Sequence, residues 1–482
     1  MKRFLSIAFA SAALCAGAQE APMLKIYSGA PDTIRSAETT LVCVTQPGAR
    51  ASIADEAVHV YRTGSFGSKV ALRPGLNRVS VDVEKDGKST KRVLEIYRDT
   101  VAAPKRVAKE TPETRFVEGR WVETLPGAYL QYGNGDDRLG GSKMGFIDEG
   151  IVLKAVGEKG SLYCVQLGDN RRAYLPKEYA SDAVAPAVAG AVNTGSWSVA
   201  DAGDVDRVTI SLPRRLAYSY ATELDPSTIT VDVYGATDNS NWITQRTATL
   251  GIIDYVDFRQ VDSDVYRVIL RLKPGVQWGF HVGYQGTSLT IDVRHRPVSL
   301  ALKNLTIGLD AGHGGPYPGA YSPSGLKEKE VNLDIVQHIR EILEAKGAKV
   351  VMTRTGDTGP SMAERKRIWR EAKVDMAVSV HNNSGGGALS SPGTAVLYKH
   401  LFCRPMAQAV TARLLETGLP LFGIVQNFNF SLNGPTEFPE VLVEGMFMSS
   451  LVEEEKLADP AFRRLVAQKI VAGIEDYLKS AR

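Results

Sequence analysis

Cysteine is scarce in this 482-residue chain: there are four, with Cys15 near the amino terminus and Cys43, Cys164 and Cys403 far apart. A disulfide framework needs closer partners, so each of the last three reads as a small buried hydrophobe. Net charge is nearly absent too, with 57 basic against 54 acidic residues. No overall field therefore favours nucleic acid or an anionic membrane. Beyond the amino terminus no stretch approaches the ~18 uninterrupted apolar residues of a membrane span. With 44% hydrophobic and 23% charged residues, the composition excludes a disordered or collagenous chain. At roughly 150 residues per domain, the length predicts three or four domains.

The first residues, MKRFLSIAFASAALCAGAQ, combine a basic start, an apolar stretch from Phe4 to Leu14, and Ala16-Gly17-Ala18. That is the pattern of a secretory signal peptide, 1–18, cut before Gln19. Cys15 offers a rival reading as a lipid anchor, but Leu14 precedes it where a lipoprotein signal carries a small residue. An exported protein of the periplasm or cell envelope is expected.

Two stretches, 100–114 and 181–195, are rich in Ala, Pro and Val without periodicity and read as linkers. Between them and before them the chain is β in texture. Residues 23–100 give short β-branched runs such as TTLVCVT and NRVSVDVE between QPGAR, RTGSFGS and RPGLN, the spacing of a small immunoglobulin-like sandwich. Residues 115–180, closing on a Tyr-rich strand and AYLP, resemble a bacterial Src-homology-3-like barrel; a generic small β domain is the alternative. Residues 197–297, with ITVDVYGA and LTIDVR, loosely resemble an AMIN-type domain. Trp242, Trp278 and Tyr284 could stack on sugars there, although aromatics in small β domains more often pack internally.

From Leu305 the texture changes to βα alternation. LTIGLD, AKVVMTR and DMAVSVH read as buried strands; VNLDIVQHIREILEAKG places Val331, Ile335, Ile339, Ile342 and Leu343 on one helical face and ends at Gly347. MAQAVTARLLETG and ADPAFRRLVAQKIVAGIEDYL read as further helices, the second opened by Asp459-Pro460. The fold class expected is multidomain: three small all-β domains followed by an α/β domain at 304–482, its mostly parallel sheet covered on both faces.

Open α/β sheets bind ligands outside the carboxyl ends of their strands. There LTIGLD runs into AGHGG with His313, DMAVSV into His381-Asn382-Asn383, and EVLV into Glu444-Gly445, while Glu328 lies at the mouth of the first helix. Two histidines and a carboxylate with an open fourth position are a common ligand set for catalytic zinc, and a further carboxylate suits a general base. Singly, each residue could be a surface or core group; His338 and His400 look unremarkable beside them. Four independent coincidences on one rim are harder to accept.

The ordered motifs DAGHGG, GLKEKEVNL, VVMTR, MAERKRI, VSVHNN and PEVLVEG resemble the zinc-dependent N-acetylmuramoyl-L-alanine amidases. The resemblance covers about 304–480 and departs from the family at Ala311, Asn382 and GMFMSS. It implies zinc ligation by His313, Glu328 and His381, with Glu444 as the catalytic carboxylate. It also implies peptidoglycan as partner, cleaved between N-acetylmuramic acid and L-alanine, and leaves room for a protein activator. The alternatives are another exported zinc hydrolase, a peptidase or deacetylase, or an inert wall-binding protein. The change of texture near residue 300 predicts that a fragment from there to 482 folds alone.

Overall fold

The computed structural model describes residues 20–101, 111–135, 140–188, 190–240, 242–426 and 429–481. The leader 1–18 and most of the first linker lie outside them. The chain divides into two compact units, one reaching to Ala103 and the other from Pro104 onward. In the first, a three-stranded sheet (Lys25–Ser28, Glu38–Val44, Ser65–Ala71) and a five-stranded sheet enclose Leu41, Cys43, Phe66, Val79, Val81 and Val83. The alternation in RVSVDVE puts every second residue, Val79, Val81 and Val83, inward, as a half-buried strand requires.

In the second unit, residues 114–182 form a seven-stranded antiparallel sheet and 197–294 form one five-stranded and one four-stranded sheet. Residues 181–195, expected as a linker, are partly strand. Ala180–Asp182 pairs with Thr114–Thr124, and Val192–Asn193 with Ala236–Thr237. Cys43, Cys164 and Cys403 are all buried and free.

The carboxyl-terminal part holds β1 (Thr306–Ala311), α1 (Glu328–Ala345), β2 (Lys349–Met352), α2 (Met362–Glu371), β3 (Met376–Asn383), β4 (Thr394–Leu397), α3 (Arg404–Leu415), β5 (Leu421–Val425), β6 (Glu440–Phe447), α4 (Leu451–Ala458) and α5 (Pro460–Ser480). Sheet order is β2-β1-β3-β6-β4-β5. The first four strands run parallel, but β4 is antiparallel to β6 and β5 follows β4. The sheet is thus mostly parallel, as expected, but mixed at the one antiparallel pairing of β4 with β6. The connection from β3 to β4 carries no helix, so the chain returns antiparallel beside β6 without the crossover that a parallel neighbour needs.

Both faces of this sheet are covered. Ile307, Leu309 and Ala311 of β1 share a core with Val331, Ile335, Ile339 and Leu343 of α1 and Ile470 and Ile474 of α5. Residues of opposite parity meet α2: a Cβ on Gly308 would lie 2.8 Å from Trp369 Nε1, and Ala377 packs in the Trp369 cluster. α1 stops at Lys346 with Gly347 at φ +85°, and α5 starts where Asp459 Oδ1 accepts the Ala461 N–H at 2.9 Å.

The 197–297 sheets dock on this domain at the amino ends of its strands. Arg294 reaches Asp375, just ahead of β3, at 2.8 Å, and Phe280 N–H donates to Thr436 O, ahead of β6, at 2.7 Å. Trp278, considered above for sugar stacking, is buried and stacks on Tyr477 of α5 with centroids 5.8 Å apart. Tyr284 is tied down by its hydroxyl to Leu216; Trp242 is exposed. This docking leaves the carboxyl ends of the strands, on the far side, uncovered by the 197–297 sheets.

Candidate metal centre and active site

His313, Glu328, His381 and Glu444 gather at that uncovered end. Glu328 is the first residue of α1, and its carboxylate bridges the two histidines. Its Oε2 lies 3.1 Å from His313 Nε2 and its Oε1 3.1 Å from His381 Nδ1. The imidazole centroids are 4.9 Å apart with the rings at 75°. One ligand atom from each of the three residues falls within 4.8 Å of the others. Burial alone would raise the Glu328 carboxyl, but hydrogen bonds and charge from His313 and His381 hold it far below the usual carboxylate range. For His381 burial pulls downward, yet Glu328 and Glu444 hold the imidazole above its ordinary value.

Two glycines make the approach possible. A Cβ on Gly312 would lie 2.3 Å from His381 Cε1 and Nε2; one on Gly319 would lie 2.4 Å from Glu328 Oε2 and 2.7 Å from His313 Cδ2. The cradle exists only where side chains are missing. His313 itself sits at φ +63°, a left-handed conformation uncommon outside glycine.

That conformation is held from behind. Arg365 of α2 donates to His313 O at 2.7 Å, to Ala311 O at 3.0 Å and to Asp310 Oδ1 at 2.6 Å. Arg354 donates to Ala311 O at 2.7 Å and Gly312 O at 3.1 Å. Asp310, fully buried, also accepts from Thr353 at 2.5 Å and Ser379 at 2.7 Å. Glu328 is fixed similarly: its Oε2 accepts the Ala320 N–H at 2.9 Å while its own N–H donates to Ala320 O at 2.9 Å. Asn332, one turn along α1, donates to Glu328 Oε1 at 3.3 Å and Gly312 O at 3.2 Å. Asn382 Nδ2 donates to Asn332 Oδ1 at 2.8 Å, and its Oδ1 accepts the Met446 N–H at 3.1 Å. Outer partners of this kind orient metal ligands and tune their basicity.

His381 and Glu444 lie within their strands rather than after them, since β3 continues to Asn383 and β6 to Phe447. Glu444 is buried and stands beside His381 across the β3–β6 ladder. His338 is on the far face of α1 with Asp334 and Glu341, and His400 is hydrogen-bonded to Gly434 O; neither joins the site. Asp310, Asn332, Arg354, Arg365 and Asn382 support the site without belonging to the four residues that the sequence singles out. Their signal lay in DAGHGG, GLKEKEVNL, VVMTR, MAERKRI and the Asn after His381, and most of their partners are tens of residues away.

The donor set fits a zinc ion: two imidazoles and one ionised carboxylate, mutually placed, in a cradle that any side chain at Gly312 or Gly319 would fill. Asp201, Asp206 and His295 form another such group. There Asp206 is already saturated by the N–H groups of Gly251, Ile252 and Ile253 and by His295, so it works as a structural clasp.

Residues 307–476 match the family described as N-acetylmuramoyl-L-alanine amidase. The probable cell wall amidase LytH of Staphylococcus saprophyticus is 31% identical over 193 residues, 40% of this chain and 64% of that protein. N-acetylmuramoyl-L-alanine amidase AmiC of Neisseria meningitidis serogroup B is 29% identical over 224 residues, 36% of this chain and 53% of that protein. The chain thus spans less than two thirds of either relative. Among solved structures, the catalytic domain of CwlV, an N-acetylmuramoyl-L-alanine amidase from Bacillus (Paenibacillus) polymyxa, is 32% identical. That match covers 36% of this chain and 99% of that one, with a TM-score of 0.35.

Proposed function

Because residues 307–476 are an N-acetylmuramoyl-L-alanine amidase domain, we propose that the protein is an exported, zinc-dependent hydrolase of peptidoglycan. It would cut the amide between the lactyl group of N-acetylmuramic acid and L-alanine. The observation that carries this reading is the His313–Glu328–His381 cluster with Glu444 next to it on the sheet.

His313, Glu328 and His381 would hold the zinc. When bound, zinc supplies Lewis acidity for activating a water and polarising an amide carbonyl. Glu444 takes the proton of the attacking water, and the same carboxyl returns it to the departing L-alanine amine as the C–N bond breaks. Arg365 and Arg354 keep the 311–313 loop in place by its carbonyls, and Asn332 and Asn382 tie that loop to α1 and β6. The signal peptide at 1–18 places the protein in the periplasm or cell envelope. Residues 23–100, 115–180 and 197–297 serve as immunoglobulin-like, Src-homology-3-like and AMIN-like modules that position the enzyme on the wall.

The test is digestion of purified sacculi followed by mass spectrometry. A new free L-alanine amino terminus on intact stem peptides, lost with a chelator and restored by zinc, is the expected result. Released acetate would make the protein a deacetylase, and the absence of any product would make it a binding protein.

A further inference from the structure

A cavity of about 1010 Å³ lies where three parts of the second unit meet. Phe146 from the seven-stranded sheet, Tyr220 and Phe280 from the 197–297 region, and Lys366, Trp369 and Arg370 from α2 line it. None of His313, Glu328, His381 and Glu444 does. Its volume is that of pockets that enclose a small organic molecule, roughly 300–1,000 Å³.

Its charges are unevenly matched. Of the five carboxylates on its wall, three are paired with arginines: Glu437 with Arg370 at 2.6 Å, Asp375 with Arg294 at 2.8 Å, and Asp292 with Arg207 at 2.6 Å. Of the others, Asp148 Oδ2 accepts the Tyr284 N–H at 2.5 Å and Asp204 lies beside Arg294. Lys366 has no such partner. Among the described residues no carboxylate or hydrogen-bond acceptor lies within bonding distance of its Nζ, which rests 4.3 Å from the centroid of the Phe146 ring. Beside it Lys143 Nζ lies 4.9 Å from the Tyr129 ring, which meets Phe146 edge-on at 5.8 Å. Lys399 Nζ donates to Lys143 O at 3.0 Å. Lys143, whose Nζ also donates to Asn429 O at 3.2 Å, thus stands near both Lys366 and Lys399, and of the three only Lys366 lines the cavity. Burial first, then the charges of Arg370 and Lys143, press Lys366 down to about 8, against the pull of Glu437. Lys399 is likewise pressed down to about 8 by burial and Lys143. Holding Lys366 beside Arg370 and Lys143 without a carboxylate of its own costs free energy that an anion in the cavity relieves.

We propose that this cavity binds a small oxyanion, a carboxylate or phosphate on a flat or apolar body, with Lys366 and Arg370 meeting the anion and Phe146, Tyr220 and Phe280 the body. Aromatic walls with a few convergent polar groups are the usual make-up of such a site. The proposal concerns binding alone and stands apart from the amidase reading.

Calorimetric titration of the full chain with benzoate, phenyl phosphate and the neutral control benzamide tests it. Whichever anion binds more tightly identifies the group, and benzamide should bind at least about tenfold more weakly, the factor that one charge-assisted hydrogen bond supplies. Lys366→Gln should weaken anion binding about tenfold or more, and Lys366→Arg should keep it within about threefold of the parent. Arg370→Gln, on the surface of α2 and leaving Glu437 to face the cavity, should weaken it as well. Glu444→Gln, at the other site, should leave it unchanged. No binding of either anion at about 10 mM, well above the ~1 mM scale of weak specific association, overturns the proposal. So does binding that ignores both α2 substitutions or is lost in Glu444→Gln.

Discussion

His381 and Glu444 are partners in register on the adjacent parallel strands β3 and β6. A proposed metal ligand and the proposed proton acceptor are thus fixed by one backbone ladder, a more rigid support than two loops would offer. Glu444→Gln preserves shape and burial while removing the acceptor. Zinc content and melting temperature should stay near the parent values, and turnover should fall by ~10² to 10⁴. Near-parental turnover with zinc confirmed would move the base role elsewhere.

Arg365 and Asp310 are a fully buried pair at 2.6 Å. Arg365→Met leaves Asp310 ionised without its cation, a loss of about 3–5 kcal/mol in unfolding free energy measured by urea. Arg365→Lys keeps charge but not the fork that reaches both Asp310 and His313 O. Its expected signature is weaker zinc retention with only a partial loss of stability. Equal behaviour of Met and Lys variants would show that charge placement does not matter there.

Gly319 sits at φ +71° with Glu328 and His313 where a Cβ would be. Gly319→Ala should lower zinc affinity by roughly 10- to 100-fold, the scale seen when the support of metal ligands is disturbed. A metal-buffered titration reads this directly, and unchanged affinity would mean that the loop relaxes freely.

Glu440, at the start of β6, is buried, with Oε2 accepting from Asn433 at 2.8 Å and Oε1 without a partner among the described residues. Burial pushes its carboxyl well above the ordinary range; Asn433 opposes this and Asp310 adds to it. The folded chain therefore holds a proton that the unfolded chain releases near pH 4.3, the ordinary glutamate value, roughly. Stability from this group is present below that pH and falls as pH rises toward the folded value. Glu440→Gln should flatten the decline of melting temperature as pH rises above about 4.3, its advantage growing with pH. Parallel curves for both proteins would refute the account.

Fragments test where the folding units end. Removing residues up to Ala103 should leave the melt of the remainder unchanged, because that segment forms its own unit. A fragment from about 300 strips Trp278 from Tyr477 and Arg294 from Asp375. It should melt well below the fragment from 104, since exposing a buried aromatic alone costs about 3 kcal/mol. Equal melting temperatures would show the docking to be energetically neutral.

The sequence alone was enough to place His313, Glu328, His381 and Glu444 on one rim, because strand and helix periodicities are local and the ends of βα units face one way. The helical face of α1 and the Asp459 cap were legible for the same reason. What folding decided is non-periodic. Arg365 grips the carbonyl of His313 across 52 positions, β4 and β5 reverse beside β6, and Trp278 turns inward onto α5. Hydrogen bonds and packing between distant residues depend on how the chain closes in three dimensions, and no spacing in the sequence records that closure.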